Sequence, residues 1–191
     1  IVQQCRDWCP EMIDLLGELS DTGCCEFLAE TYCHSLSFLY SHDEFREQID
    51  MHTKLMQDLF GQTPTVFRNT ELIYNNDMAH FIAGLGRFRG IIVEGADHIL
   101  GYRSPNYLYT PPGVDGVKLL LKNYRLSDDI AFRFSNRSWN EWPLKAETFA
   151  EWVNRINGDG YVCNLFMDYE TFGEHQWEDT GIFGFLDVLP E

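Results

Sequence analysis

The sequence is short of positive charge. It has 14 Lys and Arg against 30 Asp and Glu, a formal net charge of -16. Such a surface repels a phosphate backbone or an anionic membrane, so nucleic acid and membrane surfaces are excluded as partners. It suits a neutral substrate as well as a cationic one. No apolar run approaches the ~20 residues that span a bilayer, and no signal-peptide pattern is visible. The six cysteines (Cys5, Cys9, Cys24, Cys25, Cys33 and Cys163) contain no C-x-x-C pair. They match neither a zinc pattern nor the disulfide framework of a small secreted domain. Free thiols in a reducing compartment, and hence a cytoplasmic location, are expected. Asn136-Arg137-Ser138 spells a glycosylation sequon, but the thiols argue against secretion. There is no His-x-His or His-x-x-x-His spacing, no repeat, no low-complexity tract and no linker. There is also no initiator Met. The chain opens on IVQQCRDWCPEM and ends on LDVLPE, both in helical text, which predicts a piece of a longer protein.

What is present is globular. The 191 residues, 45% hydrophobic and 15% aromatic, suffice for one sizeable core, and a single domain over 1–191 is expected. Residues 2–19 carry Val2, Cys5, Cys9, Met12, Ile13, Leu16 and Leu19 at helical spacing. CCEFLAE (24–30) reads as a strand. Ser41-His42-Asp43-Glu44 predicts a capping box opening a helix that Gly61 stops. PTVFRNTE (64–71) reads as a strand, residues 75–85 as a helix, and residues 90–96 as a buried strand. Residues 101–143 form a long mixed segment rich in Tyr, Trp, Arg and Asn. A helix over 144–156, a strand YVCNLFMD (161–168) and a helix over 180–189 complete the pattern. Strands alternating with helices predict an α/β fold with a largely parallel sheet.

In such sheets ligands bind at the carboxyl ends of the strands. Here four apolar runs lead into acids: Glu26, Glu71, Glu94 and Asp168. One such acid fits a solvated strand end, whereas four predict a shared acidic cleft. Period two places Phe67, Asn69 and Glu71 on one face, and Val162, Asn164, Phe166 and Asp168 on another. Arg68 and Asn69 can hold and polarise a neighbouring carboxylate. Two acids from two strands satisfy glycoside hydrolysis, in which one attacks the sugar carbon and the other protonates the leaving oxygen. Tyr74, Trp139, Trp142 and Trp177 are candidates to stack on sugar rings, with core packing as the alternative. Asp168, Glu170 and His175 could instead form a D-x-E…H metal set, with His34 or His98 added. His42, His52 and His80 read as surface or helix-face residues.

The blocks GCCEFLAETYCHS (23–35), TVFRNTELIYNN (65–76), EGADHILGYRSPN (94–106), LKNYRLSDDIAFRFSNRSW (121–139) and NLFMDYETFGEHQWEDTGIF (164–183) resemble the α-amylase branch of glycoside hydrolase family 57. The resemblance covers nearly the whole chain in the family's block order. It implies an incomplete (β/α)7-type barrel, mostly parallel, and a retaining activity on the α-1,4 bonds of α-glucans or maltooligosaccharides, with no cofactor. It implies Glu71 as nucleophile and Asp168 as general acid/base. Glu170 and Glu26 would hydrogen-bond sugar hydroxyls, and His175 matches a substrate-side position. Arg68 falls where other branches carry an aromatic substrate contact. The family's first motif, ending His-Gln-Pro, and its last motif are absent, and Cys33 replaces a usual tyrosine. A 4-α-glucanotransferase on the same site, a metal-dependent deacetylase-like enzyme and a non-catalytic glucan-binding protein are the alternative functions.

Overall fold

A computed structural model describes residues 2–190, and these gather into two compact units. One takes the chain through Ile92 together with Thr110–Lys118. The other takes Val93–Tyr109 and the chain from Leu119 onward.

The first unit opens with two helices, α1 (Val2–Trp8) and α2 (Glu11–Asp21), in place of the single helix expected over 2–19. Pro10 makes the break, because it has no N–H to donate and its ring obstructs the preceding turn. The Met12 N–H turns back to Cys9 O instead. The apolar stripe of these helices stays open: Trp8 is 87% exposed, and Met12, Leu15 and Leu19 are also exposed.

Helix α3 (His42–Phe60) begins and ends where the sequence says. Ser41 Oγ accepts from the Glu44 N–H, and Gly61 closes the helix in the left-handed region at φ 65. The capping box is half made, since the Glu44 carboxylate accepts from Gln48 Nε2 at 2.6 Å. Strand β1 (Val66–Arg68) is followed by α4 (Asn76–Gly84), capped by Asn75 Oδ1 on the Met78 N–H, and then by β2 (Gly90–Val93). Strands β1 and β2 pair in parallel, Val66 with Gly90, Phe67 with Ile91 and Arg68 with Ile92. Phe67 is fully buried. Its ring meets Phe45 edge-on at 5.7 Å and tilts against Phe88 at 5.8 Å, with Ile49, Met78 and Ile82 also buried.

In the second unit α5 (Asp97–Leu100) follows β2, and strand β3 (Lys118–Leu121) leads into α6 (Tyr124–Ala131). Strand β3 and helix α6 lie within the segment 101–143 that reads as mixed in the sequence, and α5 is not expected from it either. The three strands form one sheet in the order β1-β2-β3. Asn123 caps α6 by accepting from the Leu126 N–H. Helices α7 (Ala146–Asn154) and α8 (Ile182–Val188) enclose Ile130, Phe134, Leu144, Phe149, Ile182 and Phe185, with Met167 and Phe172 packed against them.

The fold is α/β with a parallel strand pair, as expected, but the sheet has three strands and two expected strands do not form. Residues 24–30 make a single parallel bridge, Ala29 to Phe67. Two of their other backbone groups are taken by Gln62, whose Oε1 accepts from the Phe27 N–H and whose Nε2 donates to Cys25 O. Residues 161–168 make one bridge, Lys122 to Asn164. Here the Tyr161 and Val162 N–H groups both reach Asn106 O, and the Phe166 N–H reaches Ser127 Oγ. Side chains and a loop carbonyl satisfy the donors a ladder would have used.

Candidate active site

In the first unit the site grows from the carboxyl end of β1. After Arg68 the chain turns through Asn69–Ile73, with Leu72 N–H to Asn69 O and Ile73 N–H to Thr70 O. Glu71 has φ 54, ψ 24 and Leu72 has φ 55. Side chains rarely adopt this left-handed backbone, and where it persists the surroundings must hold it. Two buried residues do so. Asn69, 3% exposed, donates from Nδ2 to Ile73 O across the turn. Thr70 Oγ1 lies 3.0 Å from Thr31 Oγ1. Thr31 also accepts from the Ser35 N–H, so one hydroxyl ties the 31–35 turn to the 69–73 turn.

The paired turns bring His34 to Glu71. His34 Nε2 lies 3.1 Å from Glu71 Oε1, and His34 is itself left-handed at φ 50. Its other nitrogen stands 3.9 Å from Glu30 Oε2, and Arg68 Nη1 donates to that same oxygen at 3.0 Å. Arg68 thus holds a neighbouring carboxylate, as its position suggests, and that carboxylate is Glu30. Behind them on α3, burial pushes half-buried His52 below its ordinary value, opposed by the charge of Glu30.

Glu26 departs from expectation. Its Oε1 accepts from the Thr65 N–H at 3.0 Å and from Thr65 Oγ1 at 2.6 Å. Thr65 precedes β1, so Glu26 stands at the amino end of that strand and Glu71 follows its carboxyl end. Residues 24–30 run parallel to β1 through the Ala29–Phe67 bridge. The acid four residues farther along, Glu30, therefore takes the place expected of Glu26. Parallel pairing with β1 was the signal that could have found Glu30, since it follows Ala29, the residue bridged to Phe67, toward the carboxyl end of that strand.

In the second unit Asp168 leads into a turn over Tyr169–Thr171. The Thr171 N–H donates to Asp168 O, and the His175 N–H donates to Glu170 O at 2.9 Å. Gly173, at φ 113, lets the chain double back, and buried Gln176 anchors the loop by donating to Ala131 O. Asp168, Glu170 and His175 are all exposed on this closed loop, with Tyr169 82% exposed beside them. The even face expected of 162–168 does not appear, because the segment lacks strand pairing: Val162, Cys163, Asn164, Phe166 and Met167 are all partly buried.

Trp139 is no open platform. It packs at the edge of the second unit's core, 6.2 Å from Trp152 and edge-on, with Arg133 over its ring at 5.9 Å. Trp177 is 64% exposed, and half-buried Tyr74 donates to Asn76 Oδ1. A cavity of about 340 Å³ in the second unit is lined by Phe134, Trp142, Leu144, Glu147, Phe185 and Val188 among others, and neither Asp168 nor Glu170 lines it. Glu94 caps its own turn by accepting from the Gly95 N–H and stands 3.8 Å from Lys122. Among the described residues no group of three or more His, Cys, Asp or Glu is placed to hold a metal ion, so Asp168, Glu170 and His175 do not form the D-x-E…H set.

The model of the family described as glycosyl hydrolase family 57 matches residues 1–191. The chain belongs to glycosyl hydrolase family 57. A Methanocaldococcus jannaschii protein predicted to be an α-amylase is 53% identical over 190 residues, 99% of this chain and 40% of that protein. The chain thus spans well under half the length of this relative. The family 57 fold recurs in the 4-α-glucanotransferase of Thermococcus litoralis, with a TM-score of 0.78 and 16% identity over 98% of this chain and 29% of that one. It recurs too in a family 57 branching enzyme of Thermococcus kodakaraensis, with a TM-score of 0.68 and 16% identity over 96% of this chain and 47% of that one.

Proposed function

We propose that this chain is part of the catalytic barrel of a retaining, α-amylase-like glycoside hydrolase acting on the α-1,4 bonds of α-glucans. Its membership of glycosyl hydrolase family 57 over all 191 residues carries this reading. Glu71 is the nucleophile. One of its oxygens bonds to the anomeric carbon, the glycosidic C–O bond breaks, and the leaving oxygen takes the proton of Asp168. Asp168 then removes a proton from water, whose oxygen bonds to the same carbon and releases Glu71, so configuration is retained. When a sugar hydroxyl takes the place of water in the second step, its oxygen bonds to the anomeric carbon as Glu71 leaves, and the same site performs glucanotransfer.

Double displacement of this kind needs no cofactor. It requires carboxyl groups about 5–5.5 Å apart in the complete protein. Glu170 and His175, exposed on the Asp168 loop, are assigned to sugar hydroxyls. The structure's hydrogen bonds favour a different use for three other candidates: Arg68 fixes Glu30, Glu26 fixes the start of β1, and Trp139 packs the core edge. Six unpaired thiols support a reducing, cytoplasmic setting.

The test is a product profile of the complete protein on soluble starch and maltoheptaose. Short maltooligosaccharides with the α-anomer released first are expected. Elongated chains with little new reducing end would show transfer. A β-anomeric first product would overturn retention, and no turnover of either substrate would overturn the enzyme reading.

A further inference from the structure

We infer, resting on the reading of Glu71 as nucleophile, that His34 is a positioning residue: its Nε2–H holds Glu71 Oε1 and leaves Oε2 free to reach the anomeric carbon. Neither His34 nor Glu30 belongs to the acid pair, yet the turn around them is built toward Glu71. The contact is 3.1 Å, and both residues occupy left-handed backbone, φ 50 for His34 and φ 54 for Glu71. Non-glycine residues hold that conformation only when the surroundings fix it. The buried Thr31–Thr70 contact at 3.0 Å joins the two turns and thereby sets the distance between imidazole and carboxylate. On its other side the ring faces Glu30. Glu30 stands 3.9 Å from Nδ1, and Arg68 holds Glu30 at 3.0 Å. An arginine, a carboxylate, an imidazole and the reacting carboxylate are thus arranged in series.

Double displacement gives such a donor a defined effect. In the first step Oε2 bonds to the anomeric carbon and the glycosidic bond breaks. Oε1 then belongs to an ester, a weaker acceptor than a carboxylate. In the second step water oxygen bonds to that carbon, the ester C–O bond breaks, and Glu71 regains its charge and the full hydrogen bond from His34. His34 keeps its proton throughout. Its donor stabilises Glu71 as a leaving group, so its loss slows breakdown of the glycosyl-enzyme more than its formation.

The experiment uses the complete protein, a nitrophenyl α-maltooligoside whose leaving group needs no acid, and the variants His34→Ala and His34→Gln. His34→Ala is expected to lose roughly 10- to 100-fold in kcat, the rate equivalent of a hydrogen bond to a charged group. KM should fall with kcat, a nitrophenol burst should appear, and a glycosyl adduct on Glu71 should become visible by mass spectrometry. His34→Gln, which keeps an N–H at similar reach, should recover most of the turnover. The inference is overturned if His34→Ala turns over like the parent with no burst. It is equally overturned if both variants lose activity in step with a large fall in melting temperature, which marks a structural role. A fluorinated α-maltosyl fluoride applied to the unmodified protein separates the two readings. Label on Glu71 with unchanged His34 variants sinks only the role of His34, whereas label on another residue sinks the nucleophile assignment and His34 with it.

Discussion

Glu71 shows how a single residue is set apart. Its backbone is left-handed, a state that costs a non-glycine residue about 1–3 kcal/mol, and the side chain is exposed to solvent. Glu71→Gln keeps the backbone and the size of the side chain but removes the nucleophilic charge. Turnover by the complete protein is expected to fall by more than about 10³-fold while the melting temperature stays within about 1 °C, by the usual cost of an exposed substitution. Retained activity in that variant would remove Glu71 from the mechanism. Asp168→Asn should lose about 10²–10⁴-fold on starch, the usual share of a general acid, and far less on an α-maltosyl fluoride, whose leaving group needs no proton. Equal losses on both substrates would show that Asp168 is not the acid. His52 offers a separate test. Burial lowers its pKa from the ordinary 6.5, so the folded state resists a proton that the unfolded state accepts. That contribution is fully present above pH 6.5 and is lost as pH falls below it toward the folded value. His52→Leu should therefore flatten the fall in melting temperature between about pH 6.5 and 5. An NMR titration of His52 at or above its ordinary midpoint would contradict this.

At the scale of elements, side chains do work that strands were expected to do. Gln62 bonds the backbone of both Cys25 and Phe27, and so substitutes for a sheet neighbour over 24–30. Gln62→Ala leaves a donor and an acceptor without these partners and should cost about 1–3 kcal/mol in urea unfolding. A loss below about 0.5 kcal/mol would mean that water replaces the amide. Asn69 plays the matching part at the other end of β1, where its Nδ2–Ile73 O bond closes the turn that carries Glu71. The caps were readable because they are local. Ser41, Gly61, Asn75 and Asn123 sit next to the groups they serve, although Asn123 was hidden in a stretch without clear periodicity. The missing ladders were not readable, since an apolar alternation records which faces are buried and not which backbone partner arrives.

For the whole molecule the dominant fact is its net charge of -16. Like charges on a compact body repel, and salt screens them within a Debye length of about 10 Å at 0.1 M. The melting temperature should therefore rise between 10 mM and 0.5 M sodium chloride. A fall would mean that ion pairs among the described residues, such as Arg125–Asp97 and Lys54–Asp58, outweigh the repulsion. No helix among the described residues is long and apolar enough to cross a membrane, in line with the hydropathy of the sequence.

The sequence by itself determined the α/β class, the positions of α3, α4 and α7, and the acids worth considering, because periodicity, caps and residue chemistry act over a few positions. It also carried the family. Only the tertiary structure decided that Glu30 and not Glu26 stands with Glu71, that Trp139 belongs to the core edge, and that His34 touches the Glu71 carboxylate. Those facts depend on which end of a parallel pair a residue reaches and on a hydroxyl contact between Thr31 and Thr70, thirty-nine positions apart. No local pattern encodes such a contact, since it exists only once the two turns have been folded against each other.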